Sequence, residues 1–195
     1  MALLGRGALT RWRRAEKAAV SAFLPRRARH GATWFGRLGD VAQQPPVWAA
    51  AAVALAIGAG PAGKRAALRG GVCYAAAAIG ANLVIKPVVA RSRPPGSGAG
   101  RLGPVTSSFP SGHAATDLAF SLGAAQEMPA LFVPLTVLTM AAHWSMVRSR
   151  GHYPSDVLAG GAVGVVVALA AWRLWPPGGR PSPTSATPST TGSPS

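Results

Sequence analysis

Five apolar runs, at roughly 46–61, 70–90, 112–126, 129–147 and 155–174, follow one another along the chain with little charge inside them. Backbone carried into hydrocarbon must satisfy its own hydrogen bonds, so runs of this kind are expected to be helices that cross a bilayer together. Several are shorter than the ~20 residues of an ideal span, and the first is the least secure. Composition agrees with the membrane reading. Only 13% of the residues are charged, where a soluble domain carries about 25%. Ala and Gly are abundant among the apolar residues, and small side chains let helices approach closely in lipid. The expected fold is all-α: an integral-membrane helical bundle of about five transmembrane helices, with an N-terminal interfacial amphipathic helix.

Charge divides the chain further. The net charge is +15, and nine of the twenty Lys and Arg precede the first apolar run. Trp12, Val20, Phe23, Leu24, Trp34, Phe35 and Leu38 are interleaved with them. This pattern suits helices lying on anionic headgroups, broken near Pro25, rather than a span. No helix-turn-helix, zinc or RNA-recognition pattern supports a nucleic-acid partner. Residues 1–45 are therefore expected to be a basic amphipathic segment and 46–175 the transmembrane domain. Residues 176–195, rich in Pro, Ser, Thr and Gly, are expected to be a disordered tail. Cys73 is the only cysteine, so an intramolecular disulfide is excluded, and its apolar surroundings read as packing. There is no signal-peptide pattern at the N-terminus.

Ionisable groups are costly inside membrane helices and by default mark function. They gather in three places. Lys86, Arg91 and Arg93-Pro94 end the second run. Pro110-Ser111-Gly112-His113 opens the third, where a helix N-terminus offers N–H groups to an anion. Arg148, Arg150, His152 and Asp156 lie between the fourth and fifth. Pro154 suits the first turn of a helix, from which Asp156 can reach back to a ring nitrogen of His152. Taken singly, these are snorkelling cations, an N-cap serine and a capped loop. If the spans alternate in direction, all three clusters meet at one membrane face. Two cations, a helix N-terminus and two histidines then describe a phosphate site.

The order and spacing of these residues resemble the three-part signature of the phosphatidic acid phosphatase type 2 superfamily, which also includes the vanadium haloperoxidases. The matching residues are Lys86 and Arg93-Pro94, then Pro110 to His113, then His152 and Asp156, and the resemblance covers about residues 70–175. It implies that His152 attacks phosphorus to give a phosphohistidine, that Asp156 holds it, and that His113 protonates the leaving oxygen. Lys86, Arg93, Ser111 and the Gly112 N–H would bind the phosphoryl oxygens. No metal or other cofactor is needed, because side chains supply the cations. The partner implied is a lipid phosphate substrate.

One position departs from the pattern. The family usually carries a Ser-Arg pair ahead of the nucleophilic histidine, with the arginine six residues before it. Here Ser145 is present but Met146 stands in the arginine's place. Two readings follow: Arg150, one helical turn on, replaces it from the same face, or the site lacks one phosphate ligand and is slow or inactive. Asp117, four residues after His113, reads either as its orienting partner or as a polar residue facing the interior. His143 reads as buried and structural.

With five spans, the site and the N-terminal segment share a side that carries fifteen Lys and Arg against five. The positive-inside rule then turns the active site toward the cytoplasm of a bacterial inner membrane; a hidden span in residues 1–45 would reverse it. Candidate substrates are polyprenyl phosphate derivatives, polyprenyl diphosphate, phosphatidylglycerol phosphate and phosphatidic acid. The Ala-, Gly-, Arg- and Pro-rich composition suggests a GC-rich bacterium, which favours cell-envelope prenyl lipids. A haloperoxidase would share the pocket residues but not the apolar spans. A non-catalytic lipid-phosphate binding or transport protein would explain Met146 but not the paired histidines.

Overall fold

The computed structural model describes residues 2–23, 33–89, 91–94 and 107–178. Its regular elements are all helical: α1 (Ala2–Phe23), α2 (Trp34–Ala42), α3 (Pro45–Gly58), α4 (Gly60–Ala78), α5 (Gly112–Glu127), α6 (Phe132–Arg148) and α7 (Pro154–Leu174). The expected break near Pro25, and most of the expected disordered tail, lie outside the described residues.

Proline sets several helix starts. Pro45, Pro61 and Pro154 fall in first turns, where a missing N–H costs nothing. Gly60, at φ +60°, takes the left-handed conformation that lets α3 turn directly into α4. α4 does not end at Ala78. It runs on through Ile79–Ile85 as a π-helix, and the Lys86 N–H bonds the carbonyl of Ala81, five residues back, at 3.0 Å. The wider turn re-aims the side chains at its end, as such insertions do near functional sites.

α5 is the central helix. It packs against α4, α6 and α7, and eleven of its sixteen residues are buried. Small residues make the close approach. A Cβ on Gly160 of α7 would lie 2.3 Å from the Ser111 carbonyl oxygen, and one on Gly164 would lie 2.6 Å from that of Ala115. Gly160→Val is therefore expected to push α7 off the start of α5. Overpacking of this kind costs about 1–3 kcal/mol, read as a lower melting midpoint in detergent.

Three helical stretches are long and apolar enough to cross a membrane: Gly60–Ile85, Pro129–Arg148 and Pro154–Leu174. α2 and α3 pass the same test as a pair, bent by 84°, which makes up to four. The count of about five expected from sequence included α5. At 16 residues and 1.5 Å per residue, α5 falls short of the ~30 Å hydrocarbon thickness.

The bend between α2 and α3 is held by Trp48, whose indole N–H donates to the Ala42 carbonyl at 2.9 Å and whose ring packs edge-on against Phe120. Asp40 ties α2 to α6 by accepting from Arg148 at 2.8 Å and from the Ser145 hydroxyl. At the opposite end of the bundle, Glu127 accepts from Arg69 at 2.8 Å and from Arg65 at 3.2 Å. Cys73 is a buried free thiol packed against Gly123.

Candidate active site

The C-terminal end of α4, the start of α5, the end of α6 and the start of α7 converge at one end of the bundle. They enclose a cavity of about 160 Å³ whose walls include Asn82, Lys86, Arg93, Gly112, His113, Thr116 and His152. Five of the expected site residues thus meet around one space. Each reaches it for a local reason. The π-helical turn presents Asn82 and Lys86 together, with the ammonium donating to Asn82 Oδ1 at 2.8 Å. Asn82 also lies against Gly112, where a Cβ would come within 2.6 Å of its amide oxygen, so a side chain there would displace the Asn82 amide. Gly112 and His113 open α5, where first-turn N–H groups have no partner within their own helix.

Arg93 spans the gap to the loop that carries His152. Its Nη1 donates to the Gly151 carbonyl at 2.7 Å and lies 3.4 Å from His152 Nε2. Its Nε is buried with no hydrogen-bond partner. A buried, unpaired guanidinium donor is costly.

His152 is oriented differently from the expectation. Its Nδ1 stands 2.9 Å from the Ser108 carbonyl oxygen, which can only accept, so Nδ1 carries the proton and Nε2 keeps a lone pair. Asp156 Oδ2 is 3.9 Å from Nδ1. Its carboxylate is engaged elsewhere, accepting from the Tyr153 N–H at 2.9 Å and from Arg91 Nη1 at 2.7 Å. The direct bond that the four-residue spacing suggested is replaced by the Ser108 carbonyl, and Asp156 acts on the loop through Tyr153 and Arg91.

Burial pushes His152 down to about 3, with the positive charge of Arg93 adding to the effect and the Ser108 bond opposing it. The ring is therefore neutral across the physiological range. Because the folded value lies below the ordinary 6.5, the unfolded chain binds the extra proton. This contribution to stability is complete above pH 6.5 and is lost as pH falls toward 3. Between pH 6.5 and 5.5 the wild-type protein is expected to lose about 1 kcal/mol that His152→Asn does not. Chemical denaturation at the two pH values measures the difference.

Three expected participants stand back from the cavity. Ser111 is fully buried and caps α5, its hydroxyl accepting from the Ala114 N–H at 3.3 Å and donating to the Met146 sulfur at 3.7 Å. Met146 is buried among Ala42, Ala114, Ala142 and Val157. An apolar side chain thus occupies the arginine's place beside Ser111.

Arg150 lies away from the position of Met146. α6 ends at Arg148, and Arg150 adopts φ +59°, so the helical-turn argument that put it on the face of Met146 does not apply. Its guanidinium turns to α1 and donates to the Val20 carbonyl at 3.3 Å. Asp117 and His143 are both buried. Asp117 accepts from Thr116 at 3.2 Å, and Thr116 in turn lines the cavity.

Sequence reasoning missed three contributors. Asn82, four residues before Lys86 on one helical face, could have been found by its spacing. The Ser108 carbonyl carries no side-chain signal. Glu16 lies 75 residues from the Arg91 that it bonds, and nothing local announces it.

A helical bundle with three or four helices long and apolar enough to span a membrane places cations, a helix start and two histidines around one small cavity. Residues 66–180 match the PAP2 superfamily. The match takes in more than half of the chain, and the chain belongs to that superfamily. Membership supports phosphatase-type hydrolysis of lipid phosphates in general. No curated protein and no solved structure matches the chain.

Proposed function

We propose that the chain removes phosphate from a membrane lipid through a phosphohistidine on His152. The observation that carries this reading is the pairing at the cavity wall: the Nε2 lone pair of His152 stands 3.4 Å from Arg93 Nη1, beside a buried Arg93 Nε that lacks a partner. A bare anion binder needs the cation but has no use for an oriented, neutral imidazole.

In the proposed reaction, Lys86, Arg93 and the first N–H groups of α5 hold the phosphoryl oxygens. Nε2 of His152 forms a bond to phosphorus as the bond to the lipid oxygen breaks, and His113, protonated beside the bound phosphoryl anion, gives its proton to that oxygen. Water then attacks the phosphorus–nitrogen bond, losing a proton to His113, and phosphate leaves with His152 restored. Ser111 supports the site as the cap of α5, and Arg150 as a strut of the loop. The substrates favoured are prenyl-lipid phosphates, and the site faces the cytoplasm. The Glu16 contacts support that orientation, because they hold the basic N-terminal segment on the same face as the cavity.

The test is inorganic phosphate release in detergent with EDTA present. The panel is a prenyl phosphate, a prenyl diphosphate, phosphatidylglycerol phosphate and phosphatidic acid. Release that survives EDTA supports the histidine mechanism and ranks the lipids. Silence across the panel would favour the second reading, a lipid-phosphate binding protein in which Met146 marks a retired site.

A further inference from the structure

We propose that α1 is a latch on the catalytic loop and that Glu16 is the positioning residue through which it acts. The proposal rests on the hydrolase reading above. Glu16 is the only acidic residue in α1, and its side chain is 8% exposed. One carboxylate oxygen accepts from the Ser155 N–H at 2.8 Å. The other accepts from the Ser155 hydroxyl at 2.8 Å and from Arg91 Nη2 at 2.6 Å. Ser155 is the second residue of α7, so Glu16 supplies from outside a cap for an N–H that α7 itself leaves open.

The contact continues inward. Arg91 lies flat on the Tyr153 ring at 4.2 Å. Its other terminal nitrogen donates to Asp156 and to the Ser155 hydroxyl, each at 2.7 Å. Asp156 then fixes the Tyr153 N–H, next to His152.

A second tie comes from the same face of α1. Val20, one turn beyond Glu16, is buried and accepts from Arg150 through its carbonyl. α1 thus grips the loop on both sides of His152, at residues 150 and 155. Burial raises the Glu16 carboxyl, but the bonds from Arg91 and Ser155 outweigh it and hold the group below the ordinary carboxylate value. The latch is charged at neutral pH. Arg11, Arg13, Arg14 and Lys17 stay on the exposed side of the same helix, so its lipid-facing and site-facing roles use different residues.

The experiment uses full-length Glu16→Gln, Glu16→Asp, Arg91→Gln and the Glu16→Gln/Arg91→Gln double variant in detergent. Glu16→Gln is expected to lower kcat about tenfold with KM within about twofold, a loss in the range of one charge-assisted hydrogen bond. Glu16→Asp, which keeps the charge, is expected to recover part of the loss. In the Arg91→Gln background, Glu16→Gln should cost less than about twofold more, because both act along one chain of contacts. Amides of residues 149–156 should exchange faster with deuterium in Glu16→Gln, with α5 and α6 unchanged.

Wild-type kcat together with wild-type exchange in Glu16→Gln would overturn the proposal, as would fully additive losses in the double variant. Exchange reads the latch without turnover. A wild-type chain that released no phosphate would therefore remove the hydrolase reading, and the exchange result would still decide the latch.

Discussion

His152→Ala is expected to abolish phosphate release from every lipid in the panel, by at least about a thousandfold. The size follows from the proposed role: among the described groups at the cavity wall, His152 is the one whose Nδ1 is fixed by a main-chain carbonyl so that Nε2 keeps its lone pair. His113 also lines the cavity, but in the proposed reaction its proton goes to the leaving oxygen. The substitution removes a ring whose Nδ1 bonds the Ser108 carbonyl, so a stability control accompanies the assay. His152→Gly with added imidazole separates loss of the nucleophile from loss of the fold. Free imidazole entering the vacated space is expected to restore a fraction of the rate. Rates untouched by either substitution would remove the phosphohistidine.

Arg93→Ala is expected to lower kcat by about a hundred- to a thousandfold, the scale of losing one preorganised donor to a developing negative charge. Arg93 holds the Gly151 carbonyl at 2.7 Å and lines the cavity. It therefore both fixes the nucleophile loop and faces the phosphate. Arg93→Lys is expected to recover little. An ammonium is a point donor and cannot hold a carbonyl and an oxyanion in the fork geometry of a guanidinium. With Met146 in the place where the family carries an arginine, Lys86 and Arg93 are the cations at the cavity wall among the described residues. The dependence on Arg93 should be correspondingly steep. A loss confined to KM would mean that Arg93 binds substrate and transition state alike.

Much of the site could be read from the chain because its parts are polar residues stranded at the ends of apolar runs. Lys86, Arg93, Gly112, His113 and His152 needed only alternating span direction to be brought together, and they line one cavity. The placements differ from expectation where local geometry departs from an ideal helix. Arg150 was placed by helical spacing, but the helix stops at Arg148 and the left-handed residue 150 turns the side chain toward α1. Asp156 was placed by its distance in sequence from His152, but a main-chain carbonyl does the orienting, and carbonyls look alike in every sequence. The π-helical turn that aims Lys86 leaves no compositional trace either. The span count suffered from the same limit. α5 is apolar enough to read as a span, yet it is short and mostly enclosed by its neighbours, and enclosure is a property of the whole bundle.

The distribution of carboxylates has a consequence for traffic at the membrane surface. The chain has five acidic residues against twenty Lys and Arg. Glu16, Asp40, Glu127 and Asp156 are paired with arginines, and Asp117 is buried against Thr116. What remains to face the surroundings is almost entirely positive. An anionic lipid diffusing in the leaflet would meet an attractive field before it touched the cavity. Capture at low substrate density should then slow as salt screens that field, while turnover at saturation stays the same.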